Sequence, residues 1–229
     1  MKNRCCIIGL GYIGLPTSIV TASKGFEVIG VDKNQNIVNS LNKGIIHIAE
    51  PNLNEVFRDI LKKGFFKAQT KPAKANIFII AVPTPFKEKS NSYPIPDIKY
   101  VLDAVKSIIP FLRKDNLVIL ESTSPVGTTD EIADQIFKET KLKKNQLKIA
   151  YCPERVLPGN ILNEIKQNDR VIGGINSESA LAAKEFYSTF SIGKFNLTNT
   201  KTAELVKLTE NSFRDVNIAF ANELSMICS

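Results

Sequence analysis

The 229 residues predict an α/β protein, a doubly wound and mostly parallel sheet followed by one long helix, and three observations carry that expectation. Short apolar runs suited to buried strands alternate with helix-length stretches. A turn of sequence Gly9-Leu10-Gly11-Tyr12-Ile13-Gly14 joins the first such run to the first helix. The stretch 200–229 has neither glycine nor proline, and its apolar residues recur near helical spacing.

Residues 5–10 are an apolar run fit for a buried strand, and Gly9 permits the tight turn that ends it. Gly11 lets the backbone approach a pyrophosphate at the start of the next helix, together with the main chain of Tyr12 and Ile13. Gly14 lets that helix lie close on the sheet. Residues 28–31 supply the second strand, and Asp32 stands at its carboxyl end. A carboxylate there can accept both ribose hydroxyls of NAD and would repel the 2′-phosphate of NADP. Strand, glycine turn, helix, strand and acid in this order define a Rossmann-like unit, with NAD as the expected cofactor.

Helices are predicted over 36–42, closed by Gly44, and over 51–63, where Asp59 and Lys63 are spaced i,i+4. His47 lies in the connection between them and reads as a surface or packing residue. A short strand over 66–70 and a clearer one over 75–81 follow. The second runs into Val82-Pro83-Thr84-Pro85, a stiff loop where ligands bind in open parallel sheets, which makes Pro83 and Thr84 cofactor candidates. The polar run 87–96 is expected to bulge outward, and Asp97 to cap a helix over 98–109 that stops at Pro110.

A buried strand over 117–120 precedes Glu121-Ser122-Thr123-Ser124-Pro125-Val126-Gly127 and an acidic-started helix reaching about Thr140. Thr128 and Thr129 read as capping residues, whereas Thr123 is a candidate to orient an alcohol, an aldehyde or a water. The strand over 147–151 leads into Cys152-Pro153-Glu154-Arg155-Val156-Leu157-Pro158-Gly159, where Glu154 and Arg155 face different partners and Arg155 suits a phosphate. A strand over 170–172 with Gly173-Gly174 beyond it, a helix over 177–188 and an edge strand over 194–197 complete the series. All the loops that end these strands are expected on one edge of the sheet. On the long helix, Lys207, Asn211, Arg214 and Asp215 share a polar face flanked by Glu204 and Glu210, and an ammonium one turn from an amide can bind an oxyanion or hold a water.

Composition narrows the alternatives. A hydrophobic content of 43% supports a folded core. The net charge of +7 comes from lysines scattered among acids, so no nucleic-acid partner is expected. Four cysteines without CxxC spacing and a single histidine leave no ligand supply for a metal site. Absence of an apolar run of about 18 residues argues against a membrane partner, and a reducing cytoplasmic setting is the simplest reading.

The ordered motifs Gly9 to Pro16, Gly30 to Asp32, Ala81 to Pro85, Glu121 to Gly127, Tyr151 to Gly159 and Lys207 to Asp215 resemble the amino-terminal half of the UDP-glucose/GDP-mannose dehydrogenase family. That resemblance implies oxidation of a nucleotide-sugar C6 alcohol to the acid, with two NAD consumed. It places Thr123 and Glu154 near the reacting carbon and its water, gives Lys207 the oxyanion, and has Asn211 position the water or the sugar. Arg155 joins Glu154, Lys207 and Asn211 on the substrate side, and Arg214 serves the substrate or a subunit contact. Members acting on UDP-glucose carry a second glutamate where Pro158 stands here, so an acetamido sugar, UDP-N-acetylmannosamine foremost, is expected instead.

The resemblance also implies a nucleophilic cysteine in a glycine-rich loop after the long helix and a further UDP-binding domain. Neither occurs before Ser229, and Cys228 lies inside the helix. Residues 1–198 are therefore expected to form the NAD-binding domain and 199–229 the start of a linking helix that pairs two subunits, the chain being cut before the catalytic cysteine. The alternative is a non-catalytic NAD-binding or oligomerisation module.

Overall fold

Residues Arg4–Ile8 form β1, whose neighbours on either side are β2 (Glu27–Val31) and β4 (Ile77–Ile80), both parallel to it. Alternate residues of β1 enter two different cores. Cys5 and Ile7 belong to the cluster beneath one face, Cys6 and Ile8 to the cluster on the other, and this double burial is why the strand reads as an unbroken apolar run. The computed structural model describes residues 4–87 and 93–228.

The sheet has eight strands in the order β3-β2-β1-β4-β5-β6-β7-β8, with β3 at Phe66–Gln69, β5 at Leu117–Leu120, β6 at Lys148–Tyr151, β7 at Arg170–Gly174 and β8 at Phe195–Asn199. Its order reverses between β1 and β4, the switch point at which the chain leaves a crevice at the carboxyl ends of the strands. Helices α1 (Gly14–Ser23), α2 (Gln35–Asn42) and α3 (Leu53–Lys62) lie between β1 and β3 in sequence. The Asp59–Lys63 pair forms at 2.7 Å, and His47 is exposed. Next come α4 (Lys99–Ile108), capped by the Asp97 carboxylate at the Lys99 N–H, and α5 (Thr128–Glu139). Pro110 does not stop the chain's helical path. It sits in a single tighter turn, Ile109–Phe111.

Part of the predicted outward run, residues 88–92, lies outside the described residues. At its base Phe86 and Pro96 form an isolated antiparallel bridge, and the Lys87 N–H donates to the Ile95 carbonyl at 2.8 Å.

Three expectations need correction. A helix not foreseen, α6 (Ile161–Gln167), follows the 152–159 loop; seven residues give too little periodicity to declare it. The strand β7 then runs antiparallel to β6, pairing Tyr151 with Gly173 and Ala150 with Gly174. Its end, and that of β8, therefore lie on the opposite edge from the other loops, because the chain re-enters the sheet from the carboxyl side. Gly173 and Gly174 are also within β7, not beyond it. A Cβ on Gly173 would fall 2.5 Å from the Asn199 carbonyl oxygen, and one on Gly174 2.3 Å from that of Asn176, so bare backbone lets the starts of two helices press on this strand.

Those helices are α7 (Ser177–Tyr187) and the long α8 (Thr200–Ile227). Asn199 caps α8, its side chain accepting the Thr202 N–H at 2.9 Å. Glu204, expected beside the polar face of Lys207, is instead fully buried. Its carboxylate accepts the N–H groups of Gly127 (2.6 Å) and Thr129 (2.7 Å) and the Thr129 hydroxyl (2.6 Å), so it caps α5 from another helix. The Thr200 hydroxyl adds a bond to Asp130 at 2.8 Å. From Asn211 onward every described residue of α8 is exposed, including Phe213, Val216, Phe220 and Leu224.

Removing the Glu204 carboxylate strands buried donors at the start of α5. Glu204→Ala is expected to lower the unfolding free energy by about 2–4 kcal/mol in urea titration. A loss within about 0.5 kcal/mol, the range of ordinary surface changes, would show that this contact does not dock α8.

Candidate functional site

At the switch point the glycine turn is shaped by contacts that exclude side chains. Gly9 has φ +94° and a Cβ there would lie 2.4 Å from the Ala81 carbonyl oxygen; one on Gly14 would lie 1.9 Å from that of Gly9. Both positions require glycine, for the turn and for the close seat of α1. A Cβ on Gly11 would meet nothing within 4 Å, so its open side faces a space. The main chain of Gly11, Tyr12 and Ile13 enters α1, whose first N–H groups have no acceptor within the helix and favour an anion.

That space is a cavity of about 610 Å³ lined by Gly9, Gly11, Tyr12, Ile13, Asp32 and Pro83, among others. The Asp32 carboxylate is aimed by two main-chain donors, Leu10 N–H at 3.1 Å on one oxygen and Asn34 N–H at 2.9 Å on the other. An adenine dinucleotide fits this cradle: bare backbone for the pyrophosphate, a fixed carboxylate for ribose hydroxyls, and a volume usual for small-molecule sites. The far wall, Tyr100, Asp103 and Ser107 of α4, carried no motif and was missed by sequence reasoning. Its residues show only the core periodicity of an amphipathic helix.

The loops after β4 and β5 are stitched together by hydroxyls. Thr84 donates to the Thr123 carbonyl at 2.6 Å and Ser122 to the Val82 carbonyl at 2.7 Å. Thr84 thus faces the neighbouring loop, while Pro83 lines the cavity. Thr123 is half-buried at this edge.

Beyond them, the residues after β6 meet α8. The Lys207 ammonium donates to the main-chain carbonyl of Glu154 at 2.8 Å. Burial, with Arg214 and Arg155 nearby, holds the Lys207 pKa below its ordinary value despite the charges of Glu210 and Glu154. Arg155 pairs with Glu210 and also donates to the Asp169 carbonyl at 3.3 Å. Asn211 and Arg214 are exposed on the same helix.

The Glu154 carboxylate points inward, at 3% side-chain exposure, onto a cluster that sequence reasoning missed. Arg170 donates to it at 3.0 Å and to the Ile165 carbonyl at 3.0 Å, and the guanidinium lies 4.5 Å above the Tyr187 ring. Tyr187 donates to Glu121 at 2.6 Å, and Thr17 of α1 to the other Glu121 oxygen at 3.2 Å. Burial and the nearby Glu154 charge push Glu121 up to about 7, against the pull of Tyr187, Arg170 and Thr17. The one available signal was a charged residue adjoining each of two apolar strands, Glu121 after β5 and Arg170 opening β7. Burial raises the thiols of Cys6 and Cys152 to about 11 and about 12, which keeps them protonated and unreactive. Among the described residues no group of histidine, cysteine and carboxylate side chains could hold a metal ion, and no helix is long and apolar enough to cross a membrane.

Comparison with known proteins agrees with this cradle. Residues 3–191 match the model of the UDP-glucose/GDP-mannose dehydrogenase family NAD binding domain, and residues 201–229 that of the family's central domain. The chain is 51% identical to the UDP-N-acetyl-D-mannosamine dehydrogenase of Campylobacter jejuni over 99% of its own length and 57% of that protein. It is 48% identical to the NDP-N-acetyl-D-galactosaminuronic acid dehydrogenase of Ralstonia nicotianae, covering 97% of this chain and 53% of the relative. The native structure of the UDP-N-acetyl-mannosamine dehydrogenase of Staphylococcus aureus superposes with a TM-score of 0.92 at 44% identity, over 99% of this chain and 55% of that one. The chain thus spans about half the length of the curated relatives it matches.

Glu121 binds a proton on folding at pH values between its ordinary 4.5 and about 7. Its contribution to stability is therefore full below about 4.5 and lost as the pH rises through about 7. Denaturant titrations across that window are expected to show a smaller fall for Glu121→Gln than for the parent; parallel curves would contradict the assignment.

Proposed function

This chain belongs to the UDP-glucose/GDP-mannose dehydrogenase family, and we propose that it is the cofactor-binding part of an enzyme oxidising the C6 hydroxyl of a UDP-N-acetylhexosamine to the uronate. The observation that carries the reading is Lys207 anchored on the Glu154 carbonyl, which brings an ammonium from α8 to the strand-end loops beside a dinucleotide cradle. UDP-N-acetylmannosamine is the proposed sugar, supported by Pro158 in place of a second glutamate and by the likeness to the Campylobacter jejuni and Staphylococcus aureus enzymes.

When bound, NAD supplies the hydride acceptor, two equivalents for the four-electron oxidation of a primary alcohol with one water. Gly9, Gly11, Tyr12, Ile13 and Gly14 would hold its pyrophosphate and Asp32 its ribose, while Pro83, with Thr84 and Thr123 in the loops behind it, would bound the rest of the cofactor. Lys207, as an ammonium, stabilises the developing oxyanion. Asn211, one turn further along α8, positions the water or the sugar, and the Thr123 hydroxyl orients the reacting group. Glu154 contributes most directly through its carbonyl, since its carboxylate is engaged by Arg170. Arg155 binds substrate phosphate in exchange for Glu210, and Arg214 serves the substrate or the subunit contact.

Residues 1–198 form the cofactor domain in this reading, and 199–229 begin a linking helix whose exposed Phe213, Val216, Phe220 and Leu224 pair with a second copy. The same stripe favours the second reading, an NAD-binding association module. In this reading none of the four cysteines is the nucleophile: Cys5, Cys6 and Cys152 are buried, and Cys228, though exposed, ends α8 and does not sit in a glycine-rich loop.

Calorimetry on residues 1–229 is expected to show NAD binding, with NADP weaker by about tenfold or more, equivalent to about 1.4 kcal/mol. No steady NADH production is expected when UDP-N-acetylmannosamine is added to the same samples. Absence of NAD heat would defeat the cofactor assignment, and sustained turnover would defeat the claim that this stretch lacks the nucleophile.

A further inference from the structure

Glu50 lies in the connection between α2 and α3 and does not itself line the cavity, yet it is buried. One of its oxygens takes two donors from distant parts of the chain. The Tyr12 phenol of the glycine turn donates to it, and so does the Gly159 N–H, at 2.8 Å, from the end of the loop that carries Glu154 and Arg155. Burial alone would raise the Glu50 pKa, but the phenol and the N–H groups of Gly159 and Ile161 outweigh it and hold the carboxyl below its usual value. Burial and the Glu50 carboxylate push the Tyr12 phenol up to about 12, so it remains a donor.

The placement of Glu50 is over-determined. Two residues later Asn52 adopts the left-handed conformation, φ 61°, which is strained for a non-glycine residue. Fully buried Leu53, its N–H on the Glu50 carbonyl at 3.4 Å, anchors that turn to the core. Gly159 is also left-handed, φ +94°. Tyr12 lines the dinucleotide cavity, whereas no described residue of 152–159 does. The clasp is therefore a direct noncovalent link from the cofactor turn to the substrate-side loop.

We propose that Glu50 is a positioning residue that couples occupation of the Gly9 to Gly14 turn by a dinucleotide to the ordering of the 153–159 loop. A pyrophosphate seated on the turn fixes Tyr12, Tyr12 holds Glu50, and Glu50 holds Gly159. A ligand that orders one loop then reduces the entropy lost when the other is ordered, and the effect is reciprocal. The inference rests on the dinucleotide reading above.

Hydrogen exchange of residues 1–229 tests it, with binding measured on the same samples by calorimetry. NAD is expected to slow exchange of the Gly159 amide and its neighbours by about fivefold, the low end of usual coupling energies. ADP-ribose, which lacks nicotinamide, is expected to do the same, since the effect starts at the pyrophosphate. Tyr12→Phe removes only the hydroxyl; at NAD concentrations that saturate it by calorimetry, it is expected to lose the protection at Gly159. Glu50→Ala is expected to behave alike, and Tyr12→Phe carries the test if that variant does not fold. Unchanged exchange in the parent with NAD bound would overturn the coupling, as would full protection in Tyr12→Phe or protection by NAD but not ADP-ribose. No binding heat in the parent would instead overturn the cofactor reading beneath it.

Discussion

The crossing of α1 over the β1 turn leaves no room for a methyl group. With a Gly14 Cβ only 1.9 Å from the Gly9 carbonyl oxygen, and a Gly9 Cβ 2.4 Å from that of Ala81, three segments meet through bare backbone. The cavity at the switch point, the aim of the α1 amino terminus and the seat of Asp32 behind Leu10 all follow from that approach. A side chain at either glycine would push the helix off the sheet and remove the pyrophosphate cradle along with the packing.

The position of the ammonium depends on a different buried contact. Glu204 and Lys207 are three residues apart and so lie on adjoining parts of one helix face. With Glu204 locked to the start of α5, the rotation of α8 about its axis is set, and Lys207 is turned toward Glu154 instead of solvent. Beyond that point α8 leaves the domain and exposes its apolar residues. One helix thus serves two environments, and the boundary falls at the polar face between Lys207 and Asn211.

Most of the parallel sheet was legible because each strand is an apolar run closed by a distinctive turn, and the Gly9 to Asp32 unit carried its own chemistry. Strand direction was not legible at β7. An apolar run reads the same either way, and the reversal depends on α6, which is too short to announce itself. Glu204 and Glu210 looked equivalent on the helix, but one caps α5 and the other pairs with Arg155; only the tertiary contact separates them. Arg170 escaped notice because a lone arginine before an apolar run is most often a solvated strand end. Its burial here is tolerable because Glu154, the Ile165 carbonyl and the Tyr187 ring surround it.

That buried arginine explains why Glu154 can hold a lysine it does not face with its carboxylate. Arg170 engages one carboxylate oxygen, and the other accepts the N–H of the next residue, Arg155, at 2.7 Å. The side chain so closes a small ring on its own backbone and fixes the tilt of the peptide whose carbonyl receives Lys207. The guanidinium is committed to Glu154, which leaves Glu121 without a cation of its own, and the energetically favoured answer for a second buried carboxyl is to keep its proton. Through Thr17, Glu121 touches α1, the helix that starts at the cofactor turn. Charge balance inside the domain therefore helps to fix the position of the Lys207 ammonium at Glu154, near one end of the loop whose other end, Gly159, Glu50 grips.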